Sequence, residues 1–314
     1  MLLLLPLAAS CATTIPVRIT KPAAFDLRGA ERIAVVPFAV SGYGSSFSLE
    51  AMLYRASGYY SYDSFLEQQA AGLIAQTMNS VLMGAGSFKA LSAAEVTRLA
   101  RSSGYAAFVD VFVEGEINEL SESHVDGYED VKNSSGSVVK TYFIQRELRL
   151  QYTYRFVRAA DGLILGQASR DGVQRDKRYG DNAYQSLRSE QDMIREILRS
   201  HEPAIRKDVA PWQTTEHRAL EKDAAKDPRM EEADALVKDG AYDRALGVYT
   251  AVYAETGNFA AGYNAAVLTE ILGDLPAAID MMGALGSATG NAKAVRERDR
   301  MIRTLADQRR LSGS

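Results

Sequence analysis

The strongest constraint on this chain is an internal repeat near its end. Ala233, Leu236, Gly240, Tyr242, Ala245, Leu246 and Tyr249 recur as Ala266, Thr269, Gly273, Leu275, Ala278, Ile279 and Met282, always 33 residues later. A unit of this length cannot bury its own apolar face and must stack on its neighbour. The glycine permits a turn between two helices, and the small alanine lets the paired helices approach closely. Residues 213–314 are therefore expected to be all-α. A helix from about Ala292 to Arg310, with Val295, Met301, Ile302 and Leu305 on one side, caps the pair. Thr214 to Pro228 is densely charged and reads as a helical linker.

Residues 25–212 alternate between β-branched runs and helical spacing. Arg32 to Phe38 is a short buried strand, apolar on both faces. Ser64 to Met83 repeats apolar residues at helical spacing and stops at Gly84 and Gly86. Phe88 to Leu91 is a strand, and Ser92-Ala93-Ala94-Glu95 opens a second helix through Ala100 as a capping box. Ala106 to Ile117 is a strand. Val138 to Val157 alternates, and Asp161-Gly162 turns it into Leu163 to Gly166 as a hairpin. A helix over 186–208, interrupted at Pro203, closes the domain. The order β-α-β-α-β-β-β-α predicts an α/β domain with a mixed sheet. The loops 39–62 and 119–137 follow strands expected to be parallel. They are expected to share the carboxyl edge, where open α/β sheets place ligands. Tyr59, Tyr60 and Tyr62 in the first loop are candidate contact residues, because tyrosine combines contact area with a polar tip.

The amino terminus is a separate signal. Residues 2–10 form an apolar run too short to span a bilayer, with the size of a signal-peptide core followed by small residues. Ala8-Ala9-Ser10-Cys11 resembles the lipobox of bacterial lipoproteins. The resemblance implies cleavage before Cys11, attachment of a diacylglyceryl group to its thiol, palmitate as part of the lipid anchor, and, with Ala12 at the next position, the periplasmic face of the outer membrane. No Lys or Arg precedes Arg18, so the positive segment that usually opens a signal peptide is missing, which a gene start further upstream would explain. Residues 12–24 then read as an extended tether. Domain boundaries follow: signal peptide 1–10, anchor and tether 11–24, α/β domain 25–212, helical domain 213–314.

Two further resemblances bear on function. Asp239-Gly240-Ala241-Tyr242-Asp243-Arg244-Ala245-Leu246 and Leu272-Gly273-Asp274-Leu275-Pro276-Ala277-Ala278-Ile279 resemble the tetratricopeptide repeat. The resemblance implies a concave face made by the first helices, with Asp234, Val237 and Lys238 from repeat one and Tyr263, Val267 and Glu270 from repeat two. Of these, Lys238, Tyr263, Val267 and Glu270 are candidate protein-binding residues. Asn264 matches a position that clamps terminal carboxylates in some repeats. The basic partner is replaced by Met230-Glu231, so that clamp is rejected. Arg32 to Phe38, Ser87 to Leu91, Asp110 to Ile117 and Phe156 to Leu165 resemble the domain shared by the curli-secretion lipoprotein and the penicillin-binding-protein activator lipoproteins. That family implies assembly or regulatory roles at the outer membrane, without catalysis. A secretion pore of the curli type is the alternative, although it requires lipid-facing hairpins.

The chemistry expected from the remaining residues is sparse. The 314 residues carry a net charge of −4, which gives no reason to expect a nucleic-acid partner. One cysteine excludes an internal disulfide and a cysteine-cluster metal site. There is no phosphate-binding loop and no nucleophile elbow. His124, His201 and His217 lack metal-ligand spacing and are expected to be solvated, the first in a loop and the others in charged helices. Glu114 and Glu116 share a strand face. They are a candidate carboxylate pair for an envelope hydrolase, against the plainer reading of a solvated sheet face. The expectation is therefore a non-enzymatic envelope lipoprotein without metal or cofactor. Its partners would be the membrane, through Cys11, and one or more envelope proteins. The oligomeric state is left open.

Overall fold

The computed structural model describes residues 13–27, 29–40, 65–86, 88–91, 95, 108–132 and 134–313. The chain divides into two compact units. One is Ala23–Ala210; the other joins Met1–Pro22 to Pro211–Ser314.

The first unit is built on a mixed sheet. Its strands are β2 (Arg32–Val35), β3 (Ala39–Val40), β4 (Lys89–Leu91), β5 (Val111–Lys132), β6 (Val138–Arg158) and β7 (Ile164–Tyr179). The order across the sheet is β4-β2-β5-β6-β7, with β3 also on β5. β2 runs parallel to β4 and β5, and β5, β6 and β7 are antiparallel in succession. This is the expected mixed α/β architecture. Asp110 fixes the parallel edge: its Oδ2 accepts from the backbone N–H groups of Arg32 (2.8 Å) and Glu31 (3.0 Å), and its Oδ1 from Arg32 Nη2 (2.7 Å). The Arg32 guanidinium holds the Asp110 carboxyl below the usual carboxylate range.

Alternation along β6 turns Leu148, Leu150, Tyr152, Tyr154 and Phe156 to one face, all fully buried. Two helices cover that face: α1 (Phe65–Ala85) and α2 (Glu190–Val209). α2 starts where the Ser189 hydroxyl accepts from the Asp192 N–H. It buries Met193, Ile194, Ile197, Leu198, His201, Ile205 and Val209 at helical spacing. Pro203 does not interrupt it, contrary to expectation. The stripe of Ile205 and Val209 stays in the core beyond it, and the helix runs on to extended Ala210. The opposite face carries a smaller cluster of Ala34, Val36, Leu91, Val109 and Phe112. The helix expected over 92–100 lies, apart from Glu95, outside the described residues, as does loop 41–62.

The expected loop at 119–137 is the main correction in this unit. Residues 119–132 continue β5, paired with β6 from Gln151 to Val138. Only the residues between Lys132 and Val138 form the turn, where Gly136 has φ +83°. Both faces of the outer ribbon carry polar residues, so no apolar alternation marked it as strand. A bulge between Ile117 and Glu119 reverses which residues of β5 face the helices.

The second unit joins the two ends of the chain. β1 (Thr14–Lys21) pairs antiparallel with β8 (Trp212–Ala219), from Thr14 opposite Ala219 to Lys21 opposite Trp212. The expected tether and the expected helical linker are thus two strands of one ribbon. Ile15 and Val17 belong to the core of this unit, and the charges of β8 concealed its alternation of exposed and inward residues. Five helices follow: α3 (Pro228–Lys238), α4 (Tyr242–Thr256), α5 (Phe259–Ile271), α6 (Leu275–Thr289) and α7 (Ala292–Ser312). Asp227, Asn258, Asp274 and Asn291 cap α3, α5, α6 and α7 through side-chain oxygens. The repeat is visible in the packing. Gly240 and Gly273 both take positive φ, and the pairs Ala233/Ala266, Ala245/Ala278 and Tyr249/Met282 are all fully buried. Among the described residues, no helix is long and apolar enough to cross a membrane.

Close packing at one strand glycine makes a test. A Cβ on Gly115 would overlap the Phe38 ring and the Thr153 carbonyl oxygen, whereas a Cβ on Gly72, in α1, meets nothing within 4 Å. Gly115→Ala is expected to destabilise the protein by about 2 kcal/mol or more. Gly72→Ala is expected to stabilise it by about 0.5–1 kcal/mol. Urea unfolding followed by circular dichroism checks both signs.

Candidate functional site

The sequence pointed to the concave face of the helical repeat, and this face is already filled by the chain itself. From the end of β8, residues 218–223 run along α5 from its carboxyl to its amino end. Arg218 Nε donates to Glu270 Oε1 (3.1 Å), Leu220 is buried, and Asn258 Nδ2 donates to Asp223 Oδ1 (2.8 Å). Between them, Asn264 binds one backbone residue twice. Its Oδ1 accepts from the Glu221 N–H (2.6 Å) and its Nδ2 donates to the Glu221 carbonyl (2.9 Å). Asn264 is fully buried, so the amide clasps an internal strand exit. Lys293 pairs with the Glu221 carboxylate, and Arg300 joins Arg218 on Glu270.

This arrangement relocates the predicted contact residues. Tyr263 and Val267 are buried in the core, and burial pushes the Tyr263 hydroxyl up to about 12. Glu270 is held between two arginines. Only Lys238 is exposed. Tyr59, Tyr60, Tyr62 and Cys11 lie outside the described residues.

The α/β unit presents a different surface, which the sequence did not indicate. β5 and β6 are 22 and 21 residues long, about 70 Å of strand at 3.3 Å per residue. β7 accompanies β6 only as far as Tyr179, opposite Phe143. Beyond that point β5 and β6 form a two-stranded ribbon. Its tip exposes Tyr128 (66%), Val138 (60%) and Val139 (46%), with Tyr128 edge-on to Tyr142. At its base, Lys177 Nζ stands 3.9 Å over the Phe143 ring and pairs with Glu129 at 2.5 Å, and Tyr179 donates to the same carboxylate. The sheet face below carries Glu119, Arg149, Glu147 and Arg175, linked by ion pairs. A signal was available: Tyr128, Val131, Val138, Val139, Tyr142 and Phe143 flank one turn symmetrically.

The remaining candidates are structural. Glu114 is buried and ion-paired to Arg155, so the expected solvated face is wrong for this residue, and its carboxylate is neutralised. Glu116 is partly exposed and borders a 230 Å³ pocket at the bulge with Asn118, Thr153 and Gln167. His124 sits on β5, where Arg146 Nε donates to it, and His217 is exposed on β8. His201 is buried, contrary to expectation. Its Nδ1 meets the Tyr152 hydroxyl (3.2 Å) and its Nε2 the Asp171 carbonyl (3.0 Å). Next to it, Asp208 accepts from Tyr154 and pairs with Arg170. Burial pushes both tyrosines up. Among the described residues, no group of three or more His, Cys, Asp or Glu is placed to hold a metal.

No family model and no curated protein match this chain. Solved structures match it weakly. The PelC dodecamer from Paraburkholderia phytofirmans is 12% identical over 60% of this chain and 96% of that chain, with a TM-score of 0.27. A putative neuraminyllactose-binding hemagglutinin homolog from Helicobacter pylori is 10% identical over 60% and 88%, at 0.32. Lipoprotein GNA1162 from Neisseria meningitidis is 10% identical over 56% and 97%, at 0.24. Scores of this size carry no argument about what the chain does.

Two expectations follow from the buried groups. Asn264→Ala leaves a buried N–H and C=O of Glu221 without their partner. It is expected to cost about 2 kcal/mol and to speed hydrogen exchange at the Glu221 amide, whereas Lys238→Ala is expected to stay within about 0.5 kcal/mol of the parent. Burial holds the His201 pKa below its ordinary value, with Arg170 adding to the shift and the Asp171 carbonyl opposing it. The unfolded chain therefore takes up the proton more readily than the folded one. His201 should contribute stability above about pH 6.5 and lose it as pH falls below that, by at most about 1.4 kcal/mol per pH unit. His201→Gln should flatten this component in urea titrations between pH 7.5 and 5.

Proposed function

We propose that this chain is an outer-membrane lipoprotein, cleaved before Cys11 and anchored there, that serves as an assembly or regulatory module by binding envelope proteins and has no catalytic role. The observation that supports this most is the β5–β6 ribbon. A two-stranded ribbon standing beyond its third strand is marginal by itself, and this one exposes tyrosine and valine at its tip. Burial against a protein partner would stabilise both the strands and those side chains. The fully engaged groove of the helical unit moves the expected contact surface from the repeat to the ribbon. Two stacked helix hairpins at a 33-residue offset support reading the helical unit as a tetratricopeptide pair whose first task is packing.

A subunit of a curli-type secretion pore is the second reading. The length of the ribbon favours it, since about ten residues suffice for a membrane-spanning strand. The composition does not, because a lipid-facing strand needs an apolar outer face. Here Glu119 and Glu129 lie on one face of β5, and Glu122, His124 and Asp126 on the other.

Metabolic palmitate labelling is expected to mark the parent protein and not Cys11→Ser. A photo-crosslinking residue at Val139 is expected to capture an envelope protein in intact cells. Replacing Glu129–Thr141 with Asn-Gly, which rejoins Tyr128 to its partner Tyr142, should abolish capture by a crosslinker at Tyr128 while the circular dichroism and melting temperature stay near the parent's. Capture that persists after this replacement would rule out the ribbon tip as the docking surface.

A further inference from the structure

The pairing of β1 with β8 changes what an anchor at Cys11 would do. Leu220 N–H donates to the Thr13 carbonyl at 2.9 Å, so the folded ribbon begins at Thr13. Two peptide steps separate Thr13 from Cys11, a reach of at most about 7 Å. The direction is also fixed. β1 is antiparallel to β8, so the chain traced backwards from Thr14 leaves in the direction in which residues 220–223 proceed. Those residues run towards the amino end of α5, from Arg218 at Glu270, through Glu221 at Asn264, to Asp223 at Asn258.

The groups at that end suit a lipid surface. The carboxylates are engaged internally: Glu221 with Lys293, Asp223 with Asn258 and the N–H groups of Ala225 and Asp227, and Asp227 with Arg229. Lys222 and Lys226 are exposed. Between this turn and the start of α5 lies an open cavity of about 730 Å³, bordered by Lys222, Arg229, Asn258 and Phe259.

We infer that the end of the helical unit formed by residues 219–226 and the amino end of α5 rests directly on the bilayer surface that holds the anchor, facing its phospholipid headgroups. This rests on the reading of Cys11 as the acylated residue. The anchor then orients the unit as well as retaining it, because the expected tether is folded into the ribbon. A lysine is attracted to an anionic surface, so the short link and the two lysines act in the same sense.

The test uses the full-length lipoprotein in vesicles of phosphatidylethanolamine and phosphatidylglycerol that carry a headgroup nitroxide. Cys11 is the only cysteine, and attachment of its diacylglyceryl group consumes its thiol. Lys222→Cys or Gln213→Cys therefore supplies a single site for a fluorophore. The two sites lie more than about 20 Å apart along the run, so the label at 222 is expected to be quenched at least about two-fold more than the label at 213. Twelve Gly-Ser residues inserted between Ala12 and Thr13 are expected to remove that difference. Equal quenching at both sites, in protein shown by mass spectrometry to carry its lipid at residue 11, overturns the inference alone. Protein without that lipid overturns the anchoring reading and the inference with it.

Discussion

The helical unit depends on an antiparallel ribbon made from two segments that lie nearly two hundred residues apart in the chain. α5 turns Tyr263 and Val267 into the core of this unit. The ribbon places Ile15, Val17 and Leu220 against that surface. Asn264 then satisfies the strand exit with both amide atoms, and Glu270 receives Arg218 and Arg300. A pair of repeats is fewer than a repeat array normally needs for a continuous core. The ribbon supplies the missing layer, so this short array closes on its own chain.

The α/β unit rests on a different element. β6 contributes Leu148, Leu150, Tyr152, Tyr154 and Phe156 to the face under α1 and α2, and it pairs with β5 along its whole length and with β7 from Phe143 to Val157. The same strand extends beyond the helices as part of the exposed ribbon. One continuous ladder therefore serves as core at one end and as candidate docking surface at the other. The buried group of Tyr152, Tyr154, His201, Asp208 and Arg170 lies between the sheet and α2, and its hydrogen bonds and ion pair tie the sheet to the helix.

Elements whose apolar residues carry the right period were legible in the sequence. Examples are the strand at 32–38, the helix from about 64, the alternating strand to 157 with its Asp161-Gly162 turn, and the 33-residue repeat. Elements held together by backbone pairing alone were not. Residues 119–132 are polar on both faces, and β8 is charged. Neither shows a period-two apolar signal, and each is a strand because a distant or following segment offers a ladder. The candidate residues on α5 are engaged within the chain for a related reason. Tyr263, Val267 and Glu270 are on the groove side of their helix, as the repeat implies, but periodicity cannot say that residues 218–223 occupy that groove. His201 looked solvated because its neighbours in sequence are charged, and Glu114 because the sequence offers it no polar partner, while their neighbours in space are Tyr152 and Arg155.

By itself, the sequence determined the mixed sheet, the paired helices and their turns, because local period, glycine placement and caps act over a few residues. Tertiary structure alone decided that the supposed tether is a strand of the helical unit, that the repeat's groove is filled from within, and that a polar stretch is a ribbon rather than a loop. Each of these depends on contacts between separate segments, with five residues intervening between β5 and β6 and nearly two hundred between β1 and β8. Composition records which residues tolerate such contacts, but not where the partner lies.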